Sequence, residues 1–174
     1  MKKYFESAAR FVLILCSVAF LSFALVDDSS FLSKASEANL AEIDAGKLAA
    51  AKAGSAWVKK YAEKMVADHT AAQAELAELA KKESATIPKE ADSAHQILTK
   101  QLAGLTGNAF DSAYIKSQLT DHQAAVSLFT EELTSGTDPD AVAYAKKYLP
   151  ALKAHLAMIQ QSGASMNILP DSTH

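Results

Sequence analysis

Among its 174 residues the chain has a single cysteine, Cys16, a single arginine, Arg10, and a single tryptophan, Trp57. One cysteine excludes an internal disulfide and paired-thiol chemistry. With lysines but no arginine forks, and no basic excess, nucleic acid is not an expected partner. Glycine (6) and proline (4) are scarce, and runs of β-branched residues are missing, so little interrupts helices. The chain has no glycine-rich phosphate loop, no His-Glu-x-x-His helix and no serine or cysteine nucleophile in a recognisable setting. No catalytic residue is therefore assigned, and enzymatic activity is not the expectation.

What is present begins with a basic start, MKKYFESAAR, an apolar run from Phe11 to Val26, and Asp27-Asp28-Ser29-Ser30. That order is the pattern of a secretory signal peptide, and the run is shorter than the ~20 residues that span a bilayer comfortably. The expected organisation is a signal peptide over 1–24, a linker over 25–30, a helical domain over 31–163 and a flexible tail over 164–174. Retention of the segment as an N-terminal membrane anchor, or acylation at Cys16, are the alternatives. Residues 25–174 carry 14 lysines and 19 acidic residues, a mildly acidic net charge of −5. Export, to the periplasm or the outer membrane of a bacterium, is the expected location.

The rest reads as helix. The first long helix is expected over Ser30 to Ala53, ended by Gly54-Ser55. The second runs from Ala56 to Glu83, with Val58, Ala62, Met65, His69, Ala72, Leu76 and Leu79 spaced by fours and threes. Pro88 then breaks the chain, and a short helix is expected over Ala91 to Leu102. The next long helix, Ala109 to Leu133, has the stripe Ile115, Leu119, His122, Val126, Phe129 and Leu133. The last, Pro139 to Ser162, has Val142, Ala145, Leu149, Leu152, Leu156 and Ile159, with His155 beside the stripe. Two tight turns and one long connection predict an all-α, ferritin-like antiparallel four-helix bundle, whose long crossover contains a short helix. A weak internal repeat, Trp57-Val58-Lys59-Lys60-Tyr61 against Tyr144-Ala145-Lys146-Lys147-Tyr148, accompanies it.

One dipeptide occurs twice, Asp68-His69 and Asp121-His122, each at mid-helix with the histidine on the apolar stripe. The helix midpoints place Glu42, His69 and His122 at one level, with His155 about one turn away. Imidazole and carboxylate donors suit iron, zinc, copper or manganese. The candidate transition-metal ligands are therefore Glu42, His69, His122 and His155. Asp68 and Asp121, ~100° round their helices, are candidates to orient a histidine on a neighbouring helix. The Glu-x-x-His of di-iron bundles is missing: Val66, Leu119 and Leu152 stand three residues before these histidines. Met65 and Met158 at helical spacing from histidines offer a copper(I) variant, although filler in the core is the ordinary role of such methionines. His95 reads as a surface or local packing residue, and Trp57, Tyr61, Tyr144 and Tyr148 as fillers at the bundle edge.

The paired Asp-His motifs, Phe110-Asp111-Ser112-Ala113-Tyr114 and the late LKAHL together resemble the bacterial domain-of-unknown-function family numbered 4142, over about 31–162. The resemblance implies a ferritin-like bundle with a signal peptide, often labelled a membrane or outer-membrane protein, and brings no mechanism. Glu42, Asp68, His69, Asp121, His122 and His155 are the positions that match its pattern, while Asp44-Ala45-Gly46 departs from it. Three readings follow. The first is an envelope bundle with a purely structural polar layer. The second is a metal-binding bundle. The third is a module that binds an envelope protein partner through an outer face rich in alanine and lysine.

Overall fold

A computed structural model describes residues 28–168. The expected signal peptide over 1–24 and most of the expected tail over 164–174 lie outside the described residues. The described chain forms five helices, α1 (Asp28–Lys52), α2 (Ala56–Lys82), α3 (Ser93–Ala103), α4 (Gly107–Ser135) and α5 (Pro139–Ser165). The boundaries follow local chemistry. Ser55 caps α2 by accepting from the Val58 amide, and Asp92 caps α3 through the amides of Ala94 and His95. Asp138 caps α5 through Asp140 and Ala141, with Pro139 in the first turn. The last helix runs three residues past its expected end, and Gly163 in it is buried. Among the described residues no helix is long and apolar enough to cross a membrane.

The four long helices form two antiparallel pairs, α1 on α2 and α4 on α5. Contacts at the ends fix how the pairs combine. Asp111, near the start of α4, accepts from the Gly54 and Ser55 amides of the α1–α2 turn at 3.0 and 2.7 Å. Asp28, at the start of α1, accepts from Thr137 N, Thr137 Oγ1 and Asp138 N of the α4–α5 turn. Each tight turn is thus clamped by an aspartate of the other pair. The start of α4 lies at the end of α1, so α4 is antiparallel to α1 and parallel to α2. The connection carrying α3 must traverse the bundle, which is the expected topology. Gly46 permits a close approach of α1 to α2: a β-carbon there would lie 2.9 Å from a Val66 methyl and 3.2 Å from the Ala62 carbonyl.

The core has two apolar parts. One gathers Met65, Tyr61, Phe110, Tyr114, Ile115 and Ile159. The other gathers Phe31, Leu76, Phe129, Tyr144, Leu149 and Leu152. In the second, Phe31 meets Phe129 edge-on, centroids 5.1 Å apart, an arrangement worth about 0.5–1.5 kcal/mol beyond the area buried. Tyr61 and Tyr144 are buried, not at the edge as expected. Their rings replace aliphatic side chains in an alanine-rich interior that would otherwise lack volume. The expected stripes hold at Ile115, His122 and Phe129 of α4 and at Ala145, Leu149, Leu152 and Ile159 of α5, and differ by one residue at positions between them. Gln118 and His155 are buried, while Leu119 and Leu156 are only partly covered.

Candidate metal centre

Between the apolar parts lies a polar layer: Asn39 and Glu42 from α1, His69 from α2, Gln118 and His122 from α4, and His155 from α5, all at most 5% exposed. The imidazole centroids of His69, His122 and His155 are 5.4–5.7 Å apart. A nitrogen of each lies within 4.8 Å of a nitrogen of the other two.

The outer nitrogens decide the tautomers. His122 Nδ1 lies 3.0 Å from the Gln118 carbonyl one turn back, to which it must donate. His155 Nε2 donates to Asp68 Oδ2 at 2.7 Å. His69 Nδ1 faces Asn39 Oδ1 at 2.9 Å. That oxygen is the acceptor, because Asn39 Nδ2 points to Gln73 Oε1 and the Tyr144 hydroxyl. All three rings therefore spend their N–H outward. The inward atoms, His69 Nε2, His122 Nε2 and His155 Nδ1, are bare lone pairs. His122 Nε2 and His155 Nδ1 are 3.4 Å apart, and His69 Nε2 is buried with no hydrogen-bond partner. Moving a proton inward would turn a lone pair on the same ring against the Gln118 carbonyl or the Asp68 carboxylate.

The field of the site favours neutral rings. Burial, helped by the neighbouring imidazoles, pushes His69 down to about 3. Burial and then His155 push His122 down to about 4. Burial also lowers His155, opposed by its bond to Asp68. Three neutral imidazoles presenting three acceptors to one point are a ligand set for a transition-metal ion. The 3.4 Å spacing is what a tetrahedral ion requires of two nitrogens bound at about 2.0–2.1 Å.

Of the remaining sequence candidates, Glu42 lies outside this triangle. Its Oε1 is 3.5 Å from His122 Nδ1, the outward nitrogen, and its Oε2 accepts from Gln118 Nε2 at 2.7 Å. Burial raises its carboxyl to about 8. Glu42 stands behind His122, in the place of a supporting group. Asp68 reaches His155 on α5, as the spacing anticipated, and also pairs with Lys64. Asp121 instead reaches His95 Nε2 at 3.4 Å. His95 is thus no plain surface residue: it bridges Asp92 and Asp121, and these two carboxylates raise it to about 9. Met65 belongs to the apolar cluster. Asn39 and Gln118 were missed. Their signal was a polar residue one turn before a candidate on the same face, Asn39 before Glu42 and Gln118 before His122.

Two cavities reach the layer. One, about 320 Å³, opens between α1 and α4 and is lined by Glu37, Glu42, Asp92 and Asp121 together with His69 and His122. The other, about 270 Å³, opens between α2 and α5 onto His69 and His155, past Tyr144, Tyr148 and Leu152.

A family model described as a domain of unknown function, DUF4142, matches residues 22–161. No curated protein matches the chain. A crystal structure of a DUF305 protein from Streptomyces coelicolor, described as secreted, superposes with a TM-score of 0.69 at 11% identity, covering 80% of this chain and 93% of that one. At that identity the likeness concerns the fold alone.

Proposed function

This chain belongs to the DUF4142 family, and on that premise we propose that it is an exported helical bundle that binds one divalent first-row transition ion through His69 Nε2, His122 Nε2 and His155 Nδ1. The observation that carries this reading is the direction of the three lone pairs. A purely structural layer would close its hydrogen bonds, with a donor for each buried acceptor. Here the outward nitrogens are closed and the inward ones are three acceptors with no donor. Asp68, Asn39 and the Gln118 carbonyl hold the rings in the tautomer that metal binding needs, as partners of ligating histidines ordinarily do. An all-nitrogen set of neutral imidazoles favours zinc, copper, nickel or iron over magnesium and calcium, which want oxygen. Three protein ligands leave a coordination position open, so the ion can polarise a molecule placed beside it. Export rests on the signal-peptide pattern over 1–24, and agrees with the description of the DUF305 neighbour as secreted.

The test is uptake of metal by the purified protein. After chelator treatment, calorimetric titration with zinc(II) and copper(II) should each show one equivalent bound, and neither should bind when His69 and His122 are both replaced by leucine. A folded wild-type protein that takes up no metal, together with a more stable double variant, would return the layer to a structural role.

A further inference from the structure

We propose that the carboxylates of Glu132 and Asp28, where the start of α1 meets the α4–α5 turn, bind one hard divalent cation, calcium by class. This site is separate from the histidine layer and does not rest on the metal reading above. Glu132, in the last turn of α4, is 0% exposed, and neither of its carboxyl oxygens has a hydrogen-bond partner. Its side chain folds back under the turn: a β-carbon on Gly136 would lie 2.5 Å from Glu132 Oε1. Buried carboxyls ordinarily find a donor, so one without a donor calls for a proton or an ion.

The donors of the turn are spent elsewhere. The Gly136 amide goes to the Glu132 carbonyl. Thr137 N, Thr137 Oγ1 and Asp138 N go to Asp28, and the amides of Asp140 and Ala141 go to Asp138. Lys82, at this end of the bundle, is taken by Asp140. The charges that face Glu132 are negative: Asp28 from α1, Asp138 from the turn and Glu131 from its own helix. Burial raises the Glu132 carboxyl to about 7, and these three neighbours add to the rise. Asp28 behaves oppositely. Against the effect of burial, its bonds from Thr137 and Asp138 hold it below the usual carboxylate range. Its Oδ1 accepts from the Thr137 amide alone, which leaves a lone pair for an ion. A proton on Glu132 relieves the conflict in acid, and a cation shared with Asp28 relieves it above neutrality. Oxygen donors suit calcium and magnesium. An irregular set with one member out of water suits calcium, because magnesium demands an octahedron and keeps its waters. The ion would tie the start of α1 to the α4–α5 turn, beside the bonds that Asp28 already makes there.

The full chain, stripped with chelator, is titrated calorimetrically with calcium at pH 8 and at pH 6. One equivalent should bind, about ten-fold more weakly at pH 6, because the proton on Glu132 must leave first. Glu132→Gln, which keeps the shape and removes the charge, should abolish binding. Asp28→Asn should weaken it at least ten-fold, and carries the test if the Glu132 variant does not fold. The His69→Leu, His122→Leu double variant should bind calcium as the wild type does. No calcium uptake at pH 8 would overturn the proposal. So would uptake that survives Glu132→Gln and is lost in Glu83→Gln, which would place the ion on the surface group of Glu83, Asp138 and Asp140. Either result leaves the histidine site untouched.

Discussion

The dipeptide Asp-His occurs in the middle of α2 and again in the middle of α4, and the two copies behave alike on one side and differently on the other. In both, the histidine points into the bundle and joins the same triangle, His69 from one and His122 from the other. In both, the aspartate projects about 100° away and captures a histidine on another segment. Asp68 captures His155, the third member of the triangle, at 2.7 Å. Asp121 captures His95, in the crossover helix, at 3.4 Å. The same two residues thus serve the histidine triangle once with both members and once with the histidine alone. The second aspartate is spent on holding α3 across the α1–α4 cavity. A short motif specifies the direction of its side chains, and what they do there depends on the neighbouring helix.

The comparison can be broken at four levels. The largest effect separates the histidines. His122→Phe should lower zinc affinity by more than about a hundredfold, because it removes a ligand, whereas His95→Phe should leave it unchanged in the same titration; second-layer losses alone reach that range. Next come the aspartates. Asp68→Asn should weaken zinc by about 10–100-fold, since the amide can present its NH2 to His155 and reverse the tautomer. Asp121→Asn should cost less than about two-fold. If both substitutions weaken zinc equally, the division of labour is wrong.

A third substitution contrasts an aspartate that orients a ring with one that clamps a turn. Asp111→Ala leaves two turn amides without their acceptor and should cost about 1–3 kcal/mol in urea unfolding, with metal stoichiometry intact. Wild-type stability in that variant would remove the clamp from the account.

The smallest effect concerns pH. Asp121 and Asp92 raise His95 from its ordinary 6.5 to about 9. The folded state therefore holds a proton that the unfolded chain releases. This stability is fully present below pH 6.5 and lost as pH rises through about 9. With a third of the side chain in solvent, it amounts to about 1 kcal/mol at most. Urea midpoints between pH 6 and 10 should show this loss in the wild type and little of it in Asp121→Asn. Identical profiles would dissolve the strap.

Much of this was legible in the sequence because helices in a bundle announce themselves by periodicity. The four long helices, the short one in the crossover, and the levels of Glu42, His69, His122 and His155 all follow from spacing. What spacing does not resolve is which of two adjacent residues faces inward. At 118/119 and at 155/156 either side chain satisfies the stripe. The choice falls to the polar residue because a partner waits across the bundle, Glu42 for Gln118 and Asp68 for His155. Nor does spacing say which nitrogen of a ring a neighbour meets: Glu42 shares the level of the histidines and faces His122 on its outward nitrogen. Asn39 escaped notice, and the reach of His95 to Asp121 was not foreseen, because these contacts join segments far apart in the chain. The Phe110-Asp111 motif was visible as a pattern, and its turn-clamping purpose was not.

The central claim is that three inward lone pairs hold an ion, and a crystal of the protein soaked in zinc tests it most directly. Anomalous scattering at the zinc edge should give one dominant peak about 2.0–2.1 Å from His69 Nε2, His122 Nε2 and His155 Nδ1. A peak only at the surface group of Glu83, Asp138 and Asp140, the two aspartates partly covered, with the histidine layer empty, would contradict it.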